Sequence, residues 1–476
     1  MVRVSLILAQ LLAVVAAPVA AAAEVLADAS VASAVASSLA GSEKTACALL
    51  GFKYPKQTFL AGSDGYTYET QTQYWLVGKG LCHPGFAVRG GGHMPVVGYN
   101  SIGSSGVLLS TSNLTTLALS GDKSTVSVGA GLRWRDVYFY LSPSGLAAIG
   151  GRIGGVGVSG LLLGGGISFY SNQYGFAADN VVRYQAVLAS GIVVEATATN
   201  AYADLFWALK GGGNSFAIVT RFDLKTVKSS KVWVGISQYA QTDSAKYLDA
   251  VYNFGKYGSA DGKAAIIPTI LTYPSYNITA YAAARFYDPE TQPATAFENF
   301  TAPVLAPAAD SYALQPLAEY ISAVDALQPT GLRQEFRVLS LVVDRDAIDY
   351  VHDAFLAATG SELTGIAGLS ASVTFQPITK EFIQQGVAKG GNPQGVDPAR
   401  APYFWVVENL TWQEAKDDAA AGGFADTVTA EIEAGLKIFQ SYPAANLARL
   451  KAIRAKYDPL RIYTTLLTGG WKVLDA

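Results

Sequence analysis

The chain has 476 residues, of which 50% are hydrophobic and only 15% charged, with 48 glycines and a formal net charge of −3. This apolar content excludes a disordered chain, and the near-neutral charge, with a pI of about 5.7, supplies no basic stripe for a nucleic-acid partner. The length favours two or more domains, and a glycine content above the usual ~7% indicates a large, turn-rich globular protein.

The N-terminus has the three parts of a secretory signal. Arg3 precedes an apolar run over residues 4–19, which ends in the alanines 20–23 before Glu24. This order predicts a signal peptide over residues 1–23 and a secreted protein, and an uncleaved membrane anchor is the alternative. Later apolar runs are too short to span a bilayer, so we expect no membrane contact after cleavage. Four sequons agree with secretion: Asn113-Leu-Thr115, Asn277-Ile-Thr279, Asn299-Phe-Thr301 and Asn409-Leu-Thr411.

Cysteines and histidines are few. Cys47 and Cys82 fit an oxidising compartment and could form one bridge, or remain two unpaired thiols. Neither these cysteines nor His83, His93 and His352 have the spacing of metal ligands. The sequence therefore predicts no metal site.

From about residue 86 to residue 226, short β-branched strands alternate with glycine-rich turns. The predicted elements, in chain order, are a hairpin of strands 115–119 and 125–128, a helix over 132–141, strands over 181–189 and 192–196, a helix over 202–209 and a strand over 216–223. Ser142-Pro143 ends the first helix, and the run Gly211 to Gly213 ends the second.

From residue 231 onward the glycines thin out and longer strands follow. Predicted strands cover 232–239, 265–273 and 278–286, interleaved with helices. Asp243 is predicted to cap a helix whose apolar face includes Tyr247 and Val251. A last helix over 446–457 ends at Asp458-Pro459. This half predicts an antiparallel sheet covered by helices, so the whole chain is an α+β protein.

Glycines cluster at three places: Arg89-Gly-Gly-Gly-His93, residues 150–160, and Gly164 to Gly166. Consecutive glycines allow backbone N–H groups to converge on an anion such as a phosphate. An ordinary dinucleotide fingerprint or P-loop does not fit, because the spacing of the second cluster is wrong and no P-loop lysine follows it. The tight turns of a β-rich domain are the alternative interpretation.

His93 favours the phosphate interpretation. It directly follows three glycines, where a neutral imidazole nitrogen could act as a nucleophile or ligand. His352, in contrast, lies beside Ile348, Val351 and Phe355 on a predicted helix and is interpreted as a packing residue.

At these residues the chain resembles the FAD-linked oxidases of the vanillyl-alcohol-oxidase superfamily, specifically the berberine-bridge-enzyme-like group of fungal type. The matching segments, in family order, are residues 86–95, 123–134, 156–166, 174–182, 204–213 and 456–459. The resemblance is strong before residue 226 and at the C-terminus, and weak between. It implies a PCMH-type FAD-binding domain with two subdomains over 24–226, a substrate domain over 227–430 and a C-terminal segment over 431–476 that returns to the FAD domain.

The resemblance also implies the cofactor site. The run from Arg89 to Gly92 would cradle the FAD pyrophosphate, and His93 would be joined to the flavin 8α-methyl group. Ile153 stands where some relatives have a second flavin-linked cysteine, so a single covalent bond is predicted. The predicted cofactor-binding residues are Arg89, Gly90, Gly91, Gly92, His93, Gly155, Gly157, Gly160, Ile218 and Val219.

The implied reaction takes a proton from a substrate hydroxyl or amine, passes hydride to flavin N5 and reduces O2 to H2O2. The substrate class is a carbohydrate or a secondary metabolite, and a monomer is expected. A catalytically degenerate flavoprotein, or a secreted glycosylated β-rich binding protein without flavin, are the alternatives.

Two segments are shorter than in the family. Only ten residues separate Trp75 from Phe86, where relatives carry a further strand-helix-strand of on the order of 30 residues. The relatives' active-site tyrosine has no counterpart between Phe439 and Tyr442, and residues 390–392 offer no glutamate base. Tyr403 and Tyr442 are nearby phenols, but no residue is assigned as catalytic.

Overall fold

The computed structural model describes residues 55–60, 62–71, 85–95, 99–102, 106–257, 261–292, 295–328, 330–436, 442–467 and 472–473. The predicted signal peptide, Cys47, Cys82, His83 and most of the shortened segment before Phe86 lie outside these residues. The strands are β1 Phe86–Arg89, β2 Val107–Ser110, β3 Leu117–Leu119, β4 Thr125–Gly129, β5 Leu146–Ala148, β6 Val181–Val187, β7 Val193–Ala196, β8 Ile218–Lys228, β9 Val232–Tyr239, β10 Ala264–Tyr273, β11 Ile278–Tyr287, β12 Ala309–Asp310, β13 Ala313–Gln315, β14 Arg333–Val342, β15 Ser370–Ile378 and β16 Tyr403–Trp412. The α-helices are α1 Asp64–Gln71, α2 Trp134–Leu141, α3 Val158–Leu163, α4 Ser171–Tyr174, α5 Ala203–Leu209, α6 Ser244–Tyr257, α7 Leu317–Ala326, α8 Arg345–Glu362, α9 Lys380–Ala388, α10 Asp418–Gly435 and α11 Ala444–Tyr457.

The N-terminal half contains two sheets. Strands β1 and β2 form a parallel pair, and a six-stranded antiparallel sheet has the order β3-β4-β8-β6-β7 with β5 also on β8. The predicted hairpin is confirmed as β3 and β4. Its turn is fixed by Asp122, whose carboxylate accepts from the Ser120 hydroxyl at 2.6 Å and from the Ser124 N–H at 3.0 Å.

The C-terminal half is built on an eight-stranded antiparallel sheet of order β12-β9-β11-β10-β15-β16-β14, with β13 also on β9. Side chains alternate between its two faces. One face packs against α6, α8 and α10 through buried residues that include Ile270, Val373, Val406 and Phe355. The predicted antiparallel sheet covered by helices is confirmed, and with it the α+β fold class.

Several helix and strand ends differ from the sequence prediction by a few residues. Asp243 ends a 3-10 turn before α6 starts at Ser244, and its carboxylate accepts from Lys246 at 3.0 Å. The predicted boundary at 226 falls within β8, and the one at 430 within α10. The division into domains therefore stays a prediction.

The C-terminal segment packs on the first half of the chain. Leu450 and Tyr457 of α11 belong to the same buried cluster as α2 and α5. The fully buried Asp458 then accepts from the N–H groups of Ile462 at 2.7 Å and Tyr463 at 2.8 Å, which turns the chain back toward β1.

A buried polar network joins the two halves. The Lys210 ammonium lies 3.3 Å from the Asp179 carboxylate and donates to the Gly391 carbonyl at 2.8 Å. Lys389, just after α9, donates to the Tyr174 carbonyl and the Asn180 side-chain oxygen, both at 2.7 Å. Because the Lys210–Asp179 ion pair is buried, removing one of its partners would cost about 3–5 kcal/mol.

None of the helices in the described ranges is long and apolar enough to cross a membrane. The same residues contain no group of three or more His, Cys, Asp or Glu side chains placed to hold a metal ion.

Candidate cofactor site

The first glycine run follows β1 and packs backbone against backbone on the second. A Cβ atom added to Gly91 would lie 2.5 Å from the Cα of Gly157, and one added to Gly90 would lie 2.2 Å from the Ser159 hydroxyl. Gly92 has a φ of 65°, in the left-handed region that favours glycine. The sequence therefore needs glycines here for contact as well as for turning.

The second glycine run is held against the start of α2. Arg133 forms an isolated antiparallel bridge with Gly157, and the Val158 N–H donates to the Leu132 carbonyl at 3.0 Å. A Cβ atom on Gly157 would lie 2.5 Å from the Gly91 nitrogen. The two loops therefore meet at Gly91 and Gly157 with no room for a side chain.

Gly155 and Gly160, at the two ends of this loop, have different surroundings. The Gly155 N–H donates to the Asp325 carboxylate at 2.6 Å, so it anchors the loop to α7. Gly160 is exposed on α3, and no heavy atom lies within 4 Å of a Cβ atom added there. Only Gly160 leaves open space beside the loop.

His93 is partly buried at the end of the first glycine run. Burial, together with the nearby positive charge of Arg133, lowers the pKa of His93 from 6.5 to about 4, against a backbone hydrogen bond that raises it. The imidazole is therefore neutral at physiological pH and can use a ring nitrogen as a nucleophile.

The two arginines of this region point to different places. The buried Arg89 directs its guanidinium to the carbonyls of Glu69 and Asn100 and to the Ser101 hydroxyl, so its side chain supports the start of the loop. The Arg133 guanidinium donates to the Gly155 carbonyl, and its Nη1 lies 3.7 Å from a Cβ atom added to Gly91. Arg133, not Arg89, brings a positive charge between the two glycine loops.

Ile218 and Val219 lie at the start of β8, buried beside β6. Ile218 pairs with Val187 and Val219 with Ala186, next to a register shift in the β6–β8 ladder. The Tyr463 hydroxyl, from the C-terminal segment, donates to the Val187 carbonyl at 2.8 Å. The C-terminal turn thus closes this end of the sheet.

One contact links the glycine loops to the eight-stranded sheet. Arg152 donates to the side-chain oxygen of Gln376, whose side chain is on the face of β15 opposite the helix layer. We call this the inner face of the sheet. Burial lowers the pKa of Arg152 to about 10, so the guanidinium stays charged at neutral pH. The inner face and the glycine loops therefore border one region.

Comparisons with known proteins identify the family. Residues 83–197 match the model of an FAD binding domain. The FAD-dependent monooxygenase prx3 of Penicillium roqueforti is 34% identical over 430 residues, which cover 82% of this chain and 82% of that protein. The chain belongs to the family of FAD-dependent oxidoreductases that includes prx3.

Solved structures of flavin enzymes share the fold. The 6-hydroxy-D-nicotine oxidase of Arthrobacter nicotinovorans superimposes with a TM-score of 0.67 at 18% identity, covering 85% of this chain and 95% of that one. A variant of berberine bridge enzyme gives a TM-score of 0.65 at 16% identity, covering 86% and 95%. The expected fold is confirmed, and FAD is the cofactor of this flavoenzyme family. A β-rich binding protein without flavin is excluded.

The glycine loops of this flavoenzyme fit a pyrophosphate. Gly91 and Gly157 would clash if they carried side chains, while Gly160 borders open space. Such loops let backbone amides approach phosphate oxygens closely. The neutral imidazole of His93 at the end of the first loop fits attachment to a flavin. The individual cofactor contacts remain predictions.

Neither of the two phenols singled out in the sequence has the lowered pKa of a catalytic base. Burial raises the pKa of Tyr442 to about 12, and its hydroxyl donates to the Gly211 carbonyl at 2.7 Å. Burial also raises the pKa of Tyr403, whose hydroxyl donates to the Asp397 carbonyl at 2.7 Å. Both phenols stay protonated at neutral pH and serve the structure.

His352 has a structural environment, as predicted. Its ring lies on α8 between the Asp353 carboxylate at 2.7 Å and the Tyr281 hydroxyl at 2.9 Å. It is on the helix-covered side of the eight-stranded sheet.

Sequence reasoning missed Arg133, Asp325 and Gln376. Arg133 stands inside a motif quoted for the family, where its position just before α2 could have marked it. Asp325 and Gln376 contact the loops from α7 and β15, which are distant in sequence. The local sequence pattern does not predict such contacts.

The protonation of His93 in the apoprotein gives a pH prediction. Because the folded pKa of about 4 is below the unfolded value of about 6.5, the unfolded chain binds this proton more readily. Folding stability is therefore expected to fall as the pH drops from about 6.5 to about 4. Denaturant unfolding of flavin-free wild type and flavin-free His93→Gln at several pH values measures this, and an identical pH dependence of the two proteins would contradict it.

Proposed function

We propose that the chain is a secreted FAD-dependent oxidase that oxidises an alcohol or related group of a small molecule, a carbohydrate or a secondary metabolite. Two hydrogens leave the substrate and reduce O2 to H2O2. Residues 24–226 would bind FAD, residues 227–430 the substrate, and residues 431–476 would complete the FAD domain. The proposed cofactor contacts are Arg89, Gly90, Gly91, Gly92, His93, Gly155, Gly157, Gly160, Ile218 and Val219.

A single covalent bond would join His93 to the cofactor. The bond replaces the imidazole proton and one hydrogen of the flavin 8α-methyl group. They would leave as two protons and two electrons, which would reduce O2 to H2O2. The support for this bond is the neutral, partly buried imidazole at the end of the first glycine loop.

The contact between Arg152 and Gln376 carries the proposal, because it brings the inner face of the sheet next to the glycine loops. When bound, FAD supplies a hydride acceptor whose electrons can pass to O2. A substrate held against the inner face would lie between the sheet and the glycine loops.

The inner face offers a mixture of apolar and polar groups. One row across the strands contains Thr269, Thr374, Val407 and Val338, in register. The Thr269 and Thr374 hydroxyls are hydrogen-bonded at 2.9 Å. Val338, on the edge strand β14, is 58% exposed. Exposed valine favours an apolar skeleton over a sugar ring.

Asn409 supplies a polar group on the same face. It pairs with Ser372 across the β15–β16 ladder, and its Oδ1 is buried with no hydrogen-bond partner among the described residues. A buried acceptor without a partner is costly and rare in folded proteins. A substrate hydroxyl or N–H donor would satisfy it. Together with the valines, this supports an apolar secondary metabolite that carries a hydroxyl or amine.

Replacing Asn409 separates a binding role from a structural one. We expect Asn409→Leu to raise KM about 10-fold, the effect of losing one hydrogen bond, while leaving thermal stability unchanged or higher. Asn180→Leu is the matched control, because Asn180 is buried and donates to the Tyr174 and Phe176 carbonyls at 3.0 Å. The control is expected to lose stability. A lower Tm for Asn409→Leu at unchanged KM would contradict the binding role.

Two sequons support secretion. Asn113 and Asn277 are exposed, so a glycan could be attached to each. Asn409 is different, since it lies within the central strand β16.

The visible spectrum and peroxide release test the proposed function. Purified protein is expected to show flavin absorption that stays with the acid-precipitated chain, and to release H2O2 with polyketide or phenolic alcohols more than with sugars. Colourless protein would overturn the proposal, and flavin without turnover of any substrate would indicate a catalytically degenerate relative. The name of prx3 makes monooxygenation the second candidate. Label from 18O2 in the product would favour it over the oxidase.

A further inference from the structure

We infer that Arg133 is the cationic residue of the cofactor site and that its guanidinium binds the pyrophosphate of FAD between the two glycine loops. The inference rests on the proposed cofactor site, and adds to it a side chain that the family motifs do not single out. FAD carries negative charge on its pyrophosphate, and the glycine loops themselves supply only neutral amides.

The position of Arg133 is fixed by its backbone. Its N–H donates to the Asp136 carboxylate at 2.9 Å at the start of α2, and the residue forms the bridge with Gly157. The side chain therefore starts beside the second loop and reaches the place where the first loop meets it. Its contact with the Gly155 carbonyl and its 3.7 Å separation from a Cβ atom on Gly91 place the charge between the loops.

A guanidinium suits this place. It has five N–H donors in a planar fork, so it can hold a loop carbonyl and still bind two phosphate oxygens. The guanidinium of Arg89, at the start of the first loop, cannot take this role from its present position, because it is committed to Glu69, Asn100 and Ser101.

The same charge also acts on His93, whose pKa it lowers. Burial is the largest cause of the lowered pKa, and the charge of Arg133 adds to it. One side chain would thus bind the cofactor and favour the neutral form of the nucleophile.

The test measures binding of FAD and of riboflavin, which lacks the pyrophosphate, to apoprotein in a His93→Ala background where no bond can form. Flavin fluorescence titration gives both Kd values. We expect Arg133→Gln to weaken FAD binding about 10- to 100-fold, as for the loss of one charge-assisted hydrogen bond, with riboflavin changed by less than about 2-fold. Glutamine removes the positive charge and leaves a polar amide. The FAD Kd of Arg133→Lys is expected to lie between that of Arg133→Gln and that of the His93→Ala parent.

Arg135→Gln is the matched control. Arg135 lies two residues further along on α2, half exposed, and pairs with Asp325 at 3.5 Å. It is expected to change the FAD Kd by less than about 2-fold. Equal FAD affinity in Arg133→Gln and its parent would overturn the inference alone, as would an equal loss of FAD and riboflavin binding. No FAD binding by the His93→Ala parent, with thermal unfolding intact, would overturn the proposed site and the role of Arg133 together.

Discussion

His93→Ala is expected to release all of its flavin into the supernatant after acid precipitation, whereas the wild-type chain keeps its flavin in the pellet. The reason is that only a covalent bond survives denaturation of the glycine loops. His93 lies at the end of the first glycine loop, and its neutral form is available at physiological pH.

His352→Ala is the control for this experiment. His352 belongs to α8, with hydrogen bonds to Asp353 and Tyr281, and its removal is expected to leave the flavin in the pellet. Flavin that stays with the His93→Ala chain would show that another residue forms the bond. Wild-type flavin that leaves the chain would show that the cofactor is bound without a covalent bond.

Gly157→Ala is expected to give protein that binds little or no FAD and unfolds at a lower temperature. The added Cβ atom would lie 2.5 Å from the Gly91 nitrogen and 2.7 Å from its Cα. Backbone atoms cannot yield as the end of a flexible side chain can, so the two loops must separate. Overpacking of this kind typically costs 1–3 kcal/mol, and here the displaced atoms are the proposed pyrophosphate cradle.

Gly160→Ala is the matched control three residues away. No heavy atom lies within 4 Å of its added Cβ atom, and alanine is about 1 kcal/mol better than glycine in a helix. We expect thermal stability at or above the wild-type value, with weaker FAD binding because the methyl group enters the space beside the loop. Differential scanning calorimetry and flavin titration measure the two effects. Equal thermal stability of the two variants would argue against a loop contact specific to Gly157.

The hydrophobic pattern was enough to predict eight of the sixteen strands in the described residues. The strand predicted over 232–239 matches β9, and the hairpin of β3 and β4 follows from two β-branched runs and a turn that Asp122 stabilises. Where local sequence decides the structure, as at Ser142-Pro143 after α2, the prediction also holds. The glycine runs likewise predicted loops, because consecutive glycines favour backbone that turns tightly or approaches an anion.

The site could not be predicted to the same depth, because its contacts join distant parts of the chain. Asp325 meets Gly155, and Gln376 meets Arg152, only because α7 and β15 are brought back by the packing of the large sheet. The direction of a side chain is also invisible in sequence. Arg89 and Arg133 both lie next to the glycine loops. Only the fold shows that the Arg89 side chain points away from the loops and that the Arg133 side chain lies between them.

The buried lysine network described between the two halves affects how a substrate enters. Lys210 and Lys389 hold the Gly391 carbonyl and the Tyr174 carbonyl across the junction; Lys210 is buried and Lys389 is partly buried. A hinge motion that separates the two halves would break the hydrogen bonds of these ammonium groups. Such a motion would therefore cost free energy in every catalytic cycle. We expect entry instead along the edge strand β14, where Val338 already faces solvent. The shape of the surface along β14, more than the relative motion of the two halves, would then decide which molecules reach the flavin.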